Sequence, residues 1–148
     1  MVKKIISIFI ICWMLYSCSI EKKELINISD NYTAIVEIPA GTNKKFEYNY
    51  KTKSFEIDII NGAERTINYL PYPGNYGFIS DTYMDPVIGG DGDALDVLII
   101  SESVQQGKNI EIIPVAILKL LDSGQQDHKV IATLKNSKIN FSKDSLPN

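Results

Sequence analysis

The sequence predicts a mainly β fold, an antiparallel sheet or small barrel. Three observations lead there. Short stretches rich in β-branched and aromatic residues recur along the chain, glycine and proline punctuate them, and no repeated helical period separates them. Tyr32–Ile38 (YTAIVEI) reads as the first strand and stops at Pro39 and Gly41. Phe46 to Tyr50 and Ser54 to Ile60 alternate apolar and polar residues around Lys51, Thr52 and Lys53, the pattern of a hairpin with one face in the core. Leu95 to Ile100 follows, then a long apolar run from Asn109 to Leu121 broken at Pro114, then Lys129 to Leu134. No internal repeat or low-complexity segment interrupts this order.

A chain of 148 residues fits one domain, and 45% hydrophobic against 22% charged residues is enough to build a core. A net charge of −3 without a basic face argues against a nucleic-acid partner, which must be held by phosphate neutralisation.

The first residues read as an export signal. Lys3 and Lys4 precede the apolar run IISIFIICWMLYS, which has the length of a signal-peptide core and is short for a membrane-spanning helix. The alternative is a buried helix, but the run lacks the polar alternation of a surface helix. Leu15, Tyr16, Ser17 and Cys18 resemble a bacterial lipobox, so residues 1–17 are expected to be removed and Cys18 to carry lipid. That loss takes Cys12, leaves no cysteine pair, and moves the net charge from −3 to −5. Residues 18–31 then form a tether and residues 32–148 the folded domain. The expected location is the outer side of a bacterial membrane, with the cytoplasm as the alternative.

Chemistry is concentrated in the acids. Asp91, Asp93 and Asp96 crowd a glycine-rich turn at the mouth of a strand, where their mutual repulsion favours neutralisation by divalent cations. Oxygen-only ligands point to hard ions: magnesium, calcium or manganese. His128 stands alone, which disfavours structural zinc. An EF-hand fails, because Leu95 falls on a ligand position and Asp96 on the glycine position. Taken alone, the cluster is also readable as a solvated acidic turn. Asp122 and Asp127 in a second turn, with Lys129 beyond them and Glu37 late in the first strand, strengthen the metal reading.

The stretches EIPAGTNKKFEYN, NYLPYPGNYGFI, DGDALDVLI and PVAILKLLDSGQQDHKVIA resemble, in order and spacing, the family I soluble inorganic pyrophosphatases over roughly residues 32–135. The resemblance implies an OB-like antiparallel β-barrel and hydrolysis of pyrophosphate by metal-activated water, with Mg2+ or another divalent ion such as Mn2+. It implies that Asp91, Asp96 and Asp127 hold a metal pair, that Asp122 joins Asp127 around magnesium arriving with substrate, and that Glu37 helps through water. Asp93 corresponds to the general base, and Lys45, Arg65, Tyr76 and Lys129 to phosphate ligands. His128, between Asp127 and Lys129, is expected to point to the opposite face.

Two departures stand out. Ala94 occupies a position where the family usually has proline or glutamate. The family's usual C-terminal helical segment would fall beyond Asn148, and a chain without it is expected to leave an apolar face uncovered. Three outcomes are open: a reduced working enzyme, a site completed by another chain in a homo-oligomer, or a truncated product that folds poorly. A second functional reading is a catalytically weak metal- or phosphate-binding surface lipoprotein that keeps the fold.

Overall fold

The computed structural model describes residues 32–139. The expected export signal, Cys18 and the expected tether lie outside the described residues, as do residues 140–148.

Eleven strands form: β1 (Tyr32–Ile38), β2 (Phe46–Asn49), β3 (Ser54–Ile57), β4 (Ile59–Ile60), β5 (Ala63–Glu64), β6 (Asn75–Ile79), β7 (Asp96–Ile100), β8 (Asn109–Leu118), β9 (Leu121–Asp122), β10 (Gln125–Gln126) and β11 (Lys129–Leu134). Five of them close a barrel in the order β1-β6-β7-β11-β8, with β8 returning to β1. The other six make three hairpins.

Alternation decides which side chains enter the barrel. On β1, Ala34, Val36 and Ile38 are fully buried, while Ile35 and Glu37 face outward. Val97 and Ile99 of β7, Ile112 of β8, and Val130 and Ala132 of β11 complete the same interior. Apolar burial of this kind contributes roughly 1.5–3 kcal/mol per large side chain. With no disulfide among the described residues, packing carries the stability of the barrel.

The expected barrel is therefore present, with refinements that have physical causes. A closed ring of five strands cannot alternate direction all the way round, so one neighbouring pair must be parallel. That pair is β7 with β11, in register from Asp96 opposite Lys129 to Ile100 opposite Thr133. The long apolar run is continuous through Pro114, because proline sits where the register against β11 slips: Ala132 faces Pro114 and Ile131 faces Ala116. The irregularity absorbs a residue that has no N–H to give. The expected strand from Ser54 to Ile60 splits at Asp58. Ile59–Ile60 turns back through Asn61 and Gly62, both at positive φ, as a tight two-residue hairpin demands.

Strand β6 is the one barrel strand the sequence reading left unassigned. Its central Gly77 reads as a breaker, yet it is required there. A Cβ on Gly77 would lie 1.9 Å from the Ile35 carbonyl oxygen, so only glycine lets β6 approach β1 this closely.

Candidate active site

The outward face of the barrel carries the site. Because Val36, Val97 and Val130 point inward, their neighbours Glu37, Asp96 and Lys129 point outward. Register then aligns Ile35, Phe78, Asp96 and Lys129 as one row across β1, β6, β7 and β11. Tyr76 lies one pleat from Phe78 on the same face.

The β2–β3 hairpin folds over this face. The Tyr48 amide donates to Glu37 Oε1 at 2.7 Å, and the Tyr48 ring packs between Tyr50, Phe55 and Phe78, with centroids 5.0, 5.1 and 6.1 Å away. Between hairpin and barrel opens a cavity of about 530 Å3. All ten residues expected to act on metal or phosphate line it: Glu37, Lys45, Arg65, Tyr76, Asp91, Asp93, Asp96, Asp122, Asp127 and Lys129.

Each is positioned by its local backbone. Asp91 Oδ1 accepts the Asp93 amide at 3.0 Å, which folds the acidic loop on itself. The Met84 amide donates to the Asp93 carbonyl at 2.8 Å and pins the loop to the preceding turn. Asp122 ends β9, where Ser123 and Gly124 at positive φ form the hairpin tip, and Asp127 follows β10. Lys45 and Arg65 are neighbours through the Lys45 amide, which donates to the Arg65 carbonyl at 3.0 Å. Arg65 reaches Asp58 at 3.0 Å and Lys45 reaches Glu47 at 2.7 Å. Glu64, next to Arg65, pairs instead with Lys44 and is not among the lining residues. His128 is also outside the lining; its Nδ1 lies 3.1 Å from the Leu120 carbonyl oxygen.

At the centre, Asp96 Oδ2 accepts the Tyr76 hydroxyl at 2.6 Å and the Lys129 ammonium at 2.5 Å. Lys129 also donates to Asp127 Oδ1. Burial works against the Lys129 charge, but these two carboxylates outweigh it and hold the ammonium above its ordinary value. Burial, with the Asp96 charge behind it, pushes the Tyr76 phenol far up. Burial raises Glu37 to about 7 against the opposing Tyr48 hydrogen bond. Asp93 is raised by burial first and then by the charges of Asp91, Asp96 and Glu47.

The sequence reading missed Glu47, Tyr50 and Tyr72, which also line the cavity. Tyr72 is held by paired backbone hydrogen bonds to Gly41 and Thr42, and its ring stands 5.5 Å from that of Tyr76. The Tyr48 and Tyr50 alternation was visible in the sequence, but nothing local said which face would be covered.

The donor set suits hard divalent ions in kind and in charge. Seven carboxyl groups and three cationic side chains line the walls, an acidic excess that divalent ions would balance. Among the described residues, however, no three His, Cys, Asp or Glu side chains stand together as a ready-made set of ion ligands.

A profile described as Inorganic pyrophosphatase matches residues 34–146. The chain belongs to the inorganic pyrophosphatase family. Among curated pyrophosphatases, that of Saccharolobus solfataricus is 37% identical over 122 residues, covering 78% of this chain and 65% of the relative. The Leifsonia xyli inorganic pyrophosphatase is 35% identical over 102 residues, covering 68% of this chain and 56% of the relative. The chain thus spans less than two thirds of the length of these pyrophosphatases. In solved structures the Toxoplasma gondii type I inorganic pyrophosphatase superposes with a TM-score of 0.67 at 29% identity, covering 73% of this chain and 52% of that one. An N-terminally truncated Trypanosoma cruzi vacuolar soluble pyrophosphatase in complex with PPi gives 0.69 at 27% identity, covering 79% and 48%.

Proposed function

We propose that this domain hydrolyses inorganic pyrophosphate to two phosphates, using divalent cations, Mg2+ foremost and Mn2+ as a substitute. The observation that carries the reading is the meeting of Asp91, Asp93 and Asp96 with Asp122, Asp127 and Lys129 in one cavity of a pyrophosphatase fold.

Asp91, Asp96, Asp122 and Asp127 would hold the ions, with Glu37 contributing through water. Bound there, the ions would screen the pyrophosphate charge and acidify the attacking water. Asp93 accepts the proton as the water oxygen attacks one phosphorus in line. The bridging oxygen leaves with the second phosphate. Lys45, Arg65 and Lys129 supply cationic donors to the phosphate oxygens, and Tyr76 a neutral one when its hydroxyl turns from Asp96. Without ions in the site, burial and then the charges of Asp91, Asp96 and Glu47 raise the proton affinity of Asp93 above that of an ordinary carboxylate.

The chain without its first 18 residues, supplied with Mg2+, is expected to release phosphate from pyrophosphate, and Asp93→Asn to slow release by about 10²–10⁴ while keeping Mg2+ binding. Release no faster than a protein-free blank would end the enzymatic reading.

Export and lipidation at Cys18 complete the proposal. They rest on the basic flank, the apolar run and the Leu15–Cys18 stretch. Expression in a bacterium fed labelled fatty acid should mark the chain, and Cys18→Ser should remove the mark and free the protein from the membrane fraction.

A further inference from the structure

We propose that Lys129 occupies the ion position of the free site as a built-in counter-cation, and that a divalent ion enters by displacing it. The inference rests on reading the cavity as a metal site.

Three observations point the same way. The Lys129 ammonium contacts Asp96 and Asp127 together, two acids 31 residues apart in the chain that the site reading assigns to the ions. Its side chain is 17% exposed against 29% and 30% for the two carboxylates, so it lies deeper than the groups it joins. Among the described residues no ready-made ligand set exists, although five aspartates line one cavity. The ammonium engages one oxygen each of Asp96 and Asp127.

A magnesium ion needs carboxylate oxygens at about 2.0–2.1 Å and near-octahedral order around it. It would have to share with the ammonium the same small volume, against like-charge repulsion in a partly dry site. Lysine is the right residue for such an exchange. Its backbone is fixed in β11 between β7 and β8, but its four-carbon stem rotates freely, whereas an arginine fork would clamp both carboxylates. Once released, the ammonium points into the cavity, where an anionic phosphate can take it up. The ion's arrival thereby frees the phosphate ligand, and the two binding events favour each other.

The test uses the full chain in detergent, stripped of metal, and reads Lys129 by amine-directed labelling with mass spectrometry. Adding Mg2+ alone should speed labelling of Lys129 several-fold while exposed Lys51 and Lys53 label at an unchanged rate. By calorimetry, Lys129→Met should bind Mg2+ roughly tenfold more tightly than the parent. Lys45→Met, which removes one cavity charge without vacating the two aspartates, should gain clearly less. Mg2+ binding without faster Lys129 labelling, or equal gains in the two variants, overturns displacement and leaves the metal site standing. Absence of Mg2+ binding in parent and variants alike overturns both.

Discussion

The Tyr76 hydroxyl on β6 donates to Asp96 Oδ2 on β7 at 2.6 Å, and the same oxygen receives the Lys129 ammonium from β11. Three strands thus converge on one carboxylate oxygen. Because burial and then the Asp96 charge push the Tyr76 phenol far upward, it stays a donor at every working pH. Tyr76→Phe removes one donor to a charged acceptor, a loss of about 1.5–3 kcal/mol. Pyrophosphate turnover should fall by roughly ten- to a hundredfold with an unchanged circular dichroism spectrum. Turnover within twofold of the parent would show that this hydrogen bond is idle in the reaction.

Asp93→Asn should reduce turnover by about 10²–10⁴, the range ascribed to a positioned general base. Mg2+ affinity measured by calorimetry should stay close to that of the parent. A parallel loss of both would make Asp93 a metal ligand instead of a base.

Glu37 carries a pH dependence whose sign is fixed. Its folded value, about 7, lies above the unfolded 4.5, so the folded state holds the proton more tightly. The cost of the buried charge is absent below pH 4.5 and fully present above about 7. In chelator, stability should therefore fall across that window, by on the order of 3 kcal/mol. Glu37→Gln keeps an oxygen for the Tyr48 amide and should flatten the profile in urea titrations at pH 5 and pH 8. An unchanged slope would remove Glu37 as its source.

Asn75 is fully buried and uses its whole side chain. Its oxygen accepts the Ala40 and Val104 amides at 3.0 and 2.7 Å, and its nitrogen donates to Ser101 Oγ and the Glu102 carbonyl, each at 2.9 Å. Two loops are clipped to β6 by one residue. Asn75→Ala strands those groups in a dry position and should cost about 2–4 kcal/mol in equilibrium urea unfolding. A loss under 1 kcal/mol would mean that water replaces the amide.

Gly77→Ala should be worse, because the contact at 1.9 Å is with backbone that cannot turn aside. The expected result is insoluble protein or loss of the β1–β6 pairing in amide hydrogen exchange.

The acidic centre was legible because it is local. Asp91, Asp93 and Asp96 lie within one turn, and the Asp122 to Lys129 spacing is short as well. Strand β1 was equally plain: its period-two burial follows directly from the sequence YTAIVEI. Strand β6 was hidden because Gly77 and the nearby prolines read as turn chemistry, while the reason for glycine is a neighbour 42 residues away, Ile35. The parallel pairing of β7 with β11 is likewise non-local, and so is the cover that brings Glu47 and Tyr50 over the barrel face. Local pattern identifies which groups do chemistry; which wall faces them is decided by strand order.

The β7–β11 seam also sets when the site can exist. Asp96 and its row partner Lys129 belong to the third and the last of the five barrel strands in chain order, so the acidic loop precedes its opposing wall by a long stretch of chain. Until β11 joins β7 and β8, the cylinder is open and its carboxylates are bathed in solvent. Ring closure and assembly of the reaction centre are a single late event, and a polypeptide halted before Lys129 has neither.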